Sequence, residues 1–317
     1  MQQNEEDFNA PQNSDKQTIL MCATESANCK IMEQILNVKD SKGKRRIDIN
    51  AQDKNGNTAL SIAAKMGDDD KIILLLKNGA DLTLAKKKIS EKAWKNLEKN
   101  YQQMQTATEK FINAVIMRNI AQAKRLLHNS PVNVNMKVKS TLFPSMPCME
   151  STPLFNAINL GNKELVELLL KEPSIDVNIR DEYGRTVLTY SVQRTKGLKR
   201  ELLQRPDIME FLDYSQKEIV EVLLKHPGID VNVQDNKKVT PLMYATIYGR
   251  LKTVKLLLKH PKIDVNIQNR IGGTALICAS EIGQKNIVEL LINQPGIDIN
   301  LQDNKGASPL HYAVNSV

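Results

Sequence analysis

The sequence predicts an all-α solenoid of stacked helix-turn-helix units joined by short β-hairpin-like loops. The first observation behind this is a period. The stretch from Ile229 to Asn266 ends with nearly the letters it began with, and Thr240, Thr274 and Ser308 follow one another at intervals of 34 residues, as Thr152 and Thr186 do. A fixed period of about 20–50 residues marks a repeat array. The second observation is that each period carries its own helix start, turn and stop. The third is composition: 41% apolar with only 4% aromatic residues suits helices built from Leu, Ile, Val and Ala better than a β-sandwich.

Each position of the period has a physical role. Thr152, Thr240 and Ser308 stand one residue before Pro153, Pro241 and Pro309, and a hydroxyl N-cap followed by Pro at the first helical position starts a helix. Gly67, Gly161, Gly249 and Gly283 fall where the first helix ends and the chain turns back. The second helix is the apolar run 165–170 and its counterparts 219–224, 254–258 and 287–292, stopped by Pro173, Pro227, Pro261 and Pro295. The Ile-Asp-Val-Asn that follows is short and extended, and Asp-x-x-Gly supplies a turn before the next Thr. One such unit cannot bury its own apolar face, so neighbours must stack.

In chain order, residues 1–16 are polar and are expected to be a disordered lead. Residues 17–84 hold two copies, the first interrupted by a basic insert at 37–46, the second with Gly79 suited to a helix C-terminus. Residues 85–107 lose the phase and are expected to be a degenerate repeat or a helical linker, with Ser90 as N-cap and Ala93, Trp94 and Leu97 as an apolar stripe. The main array covers 108–317, with copies starting near 108, 152, 186, 240, 274 and 308, an enlarged loop at 136–151 and an amphipathic insert at about 196–215. The last copy has no second helix before Val317, so either the natural chain continues or that end frays.

Charge and cysteine usage bound the function. The net charge of +8 is concentrated in 39–46 and 86–99. Four cysteines in 317 residues make no disulfide framework; Cys22 and Cys278, each four residues after a Thr, are expected to be small buried core residues in a reducing, cytoplasmic compartment. The N-terminus has no apolar signal segment, and no apolar run reaches the roughly 18 residues that a membrane span requires. No Cys-x-x-Cys, His-Glu-x-x-His, phosphate-cradling glycine loop or Gly-x-Ser-x-Gly occurs. His226 and His260 share one repeat position beside a Pro, a structural explanation. Neither a catalytic residue, a metal nor a cofactor is expected.

The pattern Asp-x-x-Gly-x-Thr-Pro-Leu-x-x-Ala, then Gly, then Val-x-Leu-Leu, then Asp-Val-Asn resembles the ankyrin repeat, most closely at Ser308-Pro-Leu-His311-Tyr-Ala. The resemblance is specific over 149–317, good over 47–84 and weak over 17–46 and 85–135. Lys238 stands where the family has a turn glycine, and Thr195 replaces an inter-helix glycine. The resemblance implies a non-catalytic, monomeric scaffold or adaptor that binds a protein partner through hairpin tips and a concave first-helix face. Carried over by position, the partner-binding residues are Leu160, Tyr183, Arg185, Asn236, Lys237, Val239, Ile247, Tyr248, Arg270, Ile271 and Ile282. Leu160, Ile247 and Ile282 could equally pack copy against copy. Two other functions stay open. One is the recognition part of a larger enzyme or of a host-directed effector acting in a host cytosol, in keeping with Lys-, Asn- and Ile-rich usage. The other is contact with nucleic acid or an anionic membrane surface through a basic patch at Lys44, Arg45, Arg46, Lys86, Lys87 and Lys88.

Overall fold

The computed structural model describes residues 7–26, 28–38, 46–139, 150–193 and 217–315. The expected insert at 196–215, with Thr195, Lys44 and Arg45, lies outside them, as do the first six residues of the lead. The chain divides into two compact units, Met1–Asn156 with Leu168–Asp176, and Ala157–Glu167 with Val177–Val317.

The N-terminal unit is built from helical hairpins: α1 (Ile19–Ser26) with α2 (Cys29–Leu36), α3 (Ala59–Met66) with α4 (Asp69–Lys77), then short α5 (Leu82–Lys86) and the long α6 (Glu91–Ile116) with α7 (Ile120–Asn129). First helices meet first helices (α1 against α3) and second meet second (α2 against α4), as in stacked copies. The caps explain the boundaries. Thr58 accepts from Ser61 N, and Ser61 Oγ answers the Thr58 N–H in a reciprocal box. Gly67, left-handed at φ 70°, closes α3. Ser90 caps α6 as its position predicts, accepting from Ala93 N. The expected boundary at 107/108 falls inside α6, because nothing between Glu91 and Ile116 breaks a helix. Leu97, Met104, Phe111 and Ile112, at helical spacing, are all buried along it. Past α7, β1 (Val138–Lys139) pairs antiparallel with β2 (Glu150–Ser151), and residues 140–149 of the expected enlarged loop lie outside the described residues.

The lead is not disordered where it is described. Asn13 accepts from the N–H groups of Asp15 and Gln17, Lys16 takes a left-handed φ of 58°, and Lys54 N donates to the Asp15 carbonyl. Asn9 reaches on, its Nδ2 to the Arg46 carbonyl and its Oδ1 to Asp48 N. Residues 13–17 are thus a hairpin tip of the same construction as the later ones, with Lys in the glycine position. Cys22 also departs from expectation: it is only part-buried, whereas Cys278 is buried and its thiol is pushed up to about 11 by that burial.

In the C-terminal unit α10 (Val187–Gln193) packs on α12 (Pro241–Ile247), α12 on α14 (Ala275–Ile282), and α14 on α16 (Pro309–Asn315). The second helices are α11 (217–224), α13 (Leu251–Leu258) and α15 (Lys285–Ile292), with α13 on α15. α8 (Pro153–Asn159) and α9 (Lys163–Leu170) lie where the two units divide. Thr240 and Thr274 cap their helices by accepting from Met243 N and Ile277 N. Ser308 N donates to Nδ1 of His311 at 3.2 Å, which ties the start of α16 to its own first turn.

The hairpin tips at 181–185, 235–239, 269–273 and 303–307 share one device. The side-chain oxygen of Asp181, Asp235, Asn269 or Asp303 accepts from the N–H groups two and four residues on, at 2.8–3.0 Å. This is the Asx turn that makes Asp and Asn turn residues. The residue three on is left-handed: Gly184, Gly272, Gly306 and, without glycine, Lys238 at φ 59°. Each tip then bonds to the next, Asn236 N to the Tyr183 carbonyl, Arg270 N to Lys237 and Asn304 N to Ile271, at 2.9–3.1 Å. A second seam repeats below. Asn178, Asn232 and Asn266 each donate to a carbonyl of the next copy and accept from the N–H of Asp230, Asp264 and Asp298.

Lys238 is tolerated because its neighbour changed with it. A Cβ on Gly184 would lie 2.3 Å from Asn236 Oδ1, and one on Gly272 2.7 Å from Asn304. Opposite Lys238 the next tip has no such asparagine but Arg270, whose guanidinium reaches the Asn236 carbonyl at 2.6 Å. The left-handed backbone still costs an L-residue about 1–2 kcal/mol. Lys238→Gly should therefore raise stability by about 1 kcal/mol, read as a thermal midpoint about 2–4 °C higher; an unchanged or lowered midpoint contradicts the strain.

The spare carboxylate oxygen at two tips takes a tyrosine hydroxyl from the following helix, Tyr244 to Asp235 at 2.6 Å and Tyr312 to Asp303 at 2.7 Å. Burial first, then Asp235, raises the Tyr244 phenol, while the bond to Asp303 first raises Tyr312 to about 12. A phenol raised in the folded state contributes stability that is full below about pH 10 and is lost as pH climbs through the folded value. Tyr244→Phe should cost about 1–2 kcal/mol at neutral pH, because it strips a donor from the buried Asp235. It should also flatten the loss of denaturant resistance above pH 10; an equally steep alkaline loss in the variant refutes the coupling.

Candidate functional site

The tips gather most of the sequence-predicted residues into one continuous strip of the C-terminal unit. Tyr183, Arg185, Asn236, Lys237, Val239, Arg270 and Ile271 occupy three successive tips that are bonded backbone to backbone. Ile247 and Ile282 are the last residues of α12 and α14, two first helices in contact. Among these the apolar ones are open to solvent: Tyr183 is 53% exposed, Ile247 37%, Ile271 67% and Ile282 47%. A residue packed copy against copy would be covered, so Ile247 and Ile282 do not spend their surface in stacking alone. Leu160 is half-buried and follows α8, within the same unit. It joins the strip through its neighbour Asn159, which accepts from the Tyr190 hydroxyl at 3.0 Å.

Other candidates are occupied by the fold. Arg185 donates Nε and Nη2 to Asp181 at 2.7 Å and Nη1 to Gln193 at 2.8 Å. Its guanidinium also lies 4.7 Å from the Tyr183 ring centroid and 5.3 Å from that of Tyr190. It is a bracket that stiffens the first tip and backs Tyr183, using the planar fork and stacking face that lysine lacks. Tyr248 caps α12, is half-buried and stacks on Tyr244 with ring centroids 6.3 Å apart at 11°. Asn236 donates Nδ2 to the Glu182 carbonyl, so its amide is a link between tips. Val239 is half-buried, its N–H held by Asp235. Lys237 and Ile271 project from the tips as exposed side chains, and the exposed Arg270 turns its guanidinium to the Asn236 carbonyl.

Two of the four described residues of the basic patch are similarly committed. Arg46 stacks over Phe8 at 4.8 Å, and the Lys86 ammonium sits 4.4 Å from the Trp94 ring centroid. Phe8 and Trp94 themselves pack against the N-terminal core. Lys87 and Lys88 are exposed. The aromatic faces that a nucleic-acid platform offers to bases are covered here by the protein's own cations.

Sequence reasoning missed several contributors. Tyr190 backs Arg185, and Tyr244 holds Asp235; the period itself carried that signal, since Tyr190, Tyr244 and Tyr312 all stand four residues after the Thr or Ser that opens the helix. The N-terminal tip at 13–17 was signalled by Asn-Ser-Asp-Lys-Gln-Thr, the turn pattern with Lys where glycine is usual. Among the described residues no cluster of His, Cys, Asp and Glu could hold a metal ion, and no helix is long and apolar enough to cross a membrane. His226 and His260 accept from the N–H groups of Gly228 and Lys262 through Nδ1, the structural role expected of them.

A family model described as ankyrin repeats (3 copies) matches residues 1–86, 111–212, 208–269 and 262–316. The stretch between the first two matches, 87–110, covers most of the long helix α6. No curated protein matches the chain. Among 484 solved chains similar to it, the crystal structure of EF0377, an ankyrin repeat protein, aligns with 66% of this chain and 92% of its own at 23% identity and a TM-score of 0.52, a likeness of fold. Repeats of this kind are in general modules of protein–protein interaction. With matched segments that run over most of its length and tips, caps and turns repeated at the same positions, the chain belongs to the ankyrin-repeat family.

Proposed function

We propose that the C-terminal unit binds a protein partner across its hairpin tips and the ends of its first helices, as a non-catalytic scaffold or adaptor. One observation carries the reading. Large apolar side chains are 37–67% exposed together, Tyr183 and Ile271 on tips bonded backbone to backbone, Ile247 and Ile282 at the ends of the contacting helices α12 and α14. Exposed apolar surface of this kind marks interaction sites, and a rigid backbone lowers the ordering cost of binding. Arg185 serves this surface indirectly, by fixing the orientation of Tyr183.

The direct test is affinity capture by the wild-type chain and by Tyr183→Ala/Ile271→Ala, with bound proteins identified by mass spectrometry. Both side chains are more than half exposed, so the variant should keep its circular dichroism spectrum and thermal midpoint. Loss of an interface anchor costs about 2 kcal/mol, so a captured partner should bind the variant at least about thirtyfold more weakly. Equal capture by both chains removes this surface from consideration.

Contact of the basic segments with nucleic acid or lipid is not favoured, because Arg46 and Lys86 already cover Phe8 and Trp94. Mixing the chain with single-stranded RNA, duplex DNA or anionic vesicles should give no association that weakens steeply between about 50 and 200 mM salt; a steep salt slope reverses this conclusion.

A further inference from the structure

We infer that the tips of the C-terminal unit recognise an extended segment in which apolar and acidic residues alternate at every third position. The inference rests on the protein-binding reading above and assigns the partner's chemistry. Four equivalent positions, each two residues after the Asp or Asn that anchors its tip, carry Tyr183, Lys237, Ile271 and Lys305. All four are exposed. Read along the tips they alternate aromatic, cation, aliphatic, cation. Their order in space is set by the tip-to-tip bonds of Asn236 N to the Tyr183 carbonyl, Arg270 N to Lys237 and Asn304 N to Ile271.

The charge of the strip is one-sided. Exposed cations at the tips are Lys237, Lys238, Arg270 and Lys305, against the exposed carboxylate of Glu182 at the first tip. The other tip carboxylates are turned to internal partners: Asp181 to Arg185, Asp235 to Tyr244 and Asp303 to Tyr312, besides the turn N–H groups each one holds. A partner that covers Tyr183 and Ile271 must therefore lay its own residues beside Lys237 and Lys305, and carboxylates complement them. The spacing follows from packing. Stacked helices lie about 8–10 Å apart, and a polyproline II chain advances about 3.1 Å per residue with three residues per turn, so roughly three residues pass each tip and every third one faces it. The complementary segment reads apolar, two spacers, acidic, two spacers, apolar, two spacers, acidic.

The probe is a fluorescein-labelled ten-residue peptide with Leu at its first and seventh positions, Glu at its fourth and tenth, and Ser elsewhere. One control carries Lys in place of Glu, and another has the same residues in scrambled order. Fluorescence anisotropy with the full chain should show the acidic peptide binding at least about tenfold more tightly than either control, with affinity falling as salt shortens the screening length. Lys237→Glu/Lys305→Glu, checked for folding by circular dichroism, should reverse the preference toward the Lys peptide. Binding of none of the peptides at millimolar concentration, equal affinity for all three, or a preference that survives the charge reversal overturns the inference. The two readings fail separately. Captured proteins lost by Tyr183→Ala/Ile271→Ala but kept by Lys237→Glu/Lys305→Glu leave the protein-binding reading standing and remove this one. Capture that survives both variants removes the broader reading.

Discussion

The structure depends on a single small interaction, the Asp or Asn side chain that accepts two backbone N–H groups of its own turn. At 53, 181, 235, 269 and 303, and at 13 in the lead, this bond closes the tip. Hydrogen bonds to a charged acceptor contribute about 1.5–3 kcal/mol each. A closed tip presents one N–H and one carbonyl outward in a fixed place, and those are the groups that bond to neighbouring tips. At Asp53 burial works to raise the carboxyl, but the bonds from Asn57 and Asn55 outweigh it and hold the group below its usual value. The turn thus keeps its acceptor ionised in spite of burial.

From that bond the rest follows in steps. The turn fixes where the Thr cap begins the next helix, and the cap fixes the phase of the apolar face. First helices then meet first helices and second meet second within each unit. Because the tips are closed and linked by main-chain bonds, the exposed side chains at 183, 237, 271 and 305 differ while the backbone around them repeats. Residues with repeated geometry and variable chemistry are where an array of identical scaffolds can acquire specificity. Tyr183, Lys237, Ile271 and Lys305 share one backbone environment, and their side chains range from aromatic to cationic to aliphatic.

The period made the fold legible from sequence, since helix starts at Thr-Pro, stops before Pro173 and its equivalents, and left-handed glycines all have local chemical causes. The lead and the long helix were less so. Residues 13–17 look polar and unstructured because their turn uses Asn13 and Lys16, and only the hydrogen bonds from Asp15 and Gln17 distinguish it from a coil. α6 has no breaker to mark it as one helix, so a boundary at 107/108 cannot be seen or denied from residue types. At the site, exposure sorted what position could not. Arg185 and Asn236 sit at tips as surely as Lys237 and Ile271 do, yet the first pair is consumed by Asp181, Gln193 and Glu182. Which tip side chain is consumed in this way depends on its own neighbours, Asp181 and Gln193 for Arg185 and the Glu182 carbonyl for Asn236, and these differ from copy to copy.

The central claim is that this chain acts through the tips of its C-terminal unit. Hydrogen exchange by mass spectrometry on a captured complex, compared with the free chain, tests it most directly. The account predicts added protection in peptides covering 181–185, 235–239, 269–273 and 303–307, with α13 and α15 unchanged. Protection confined to α13 and α15, with the tips exchanging as in the free chain, would contradict it.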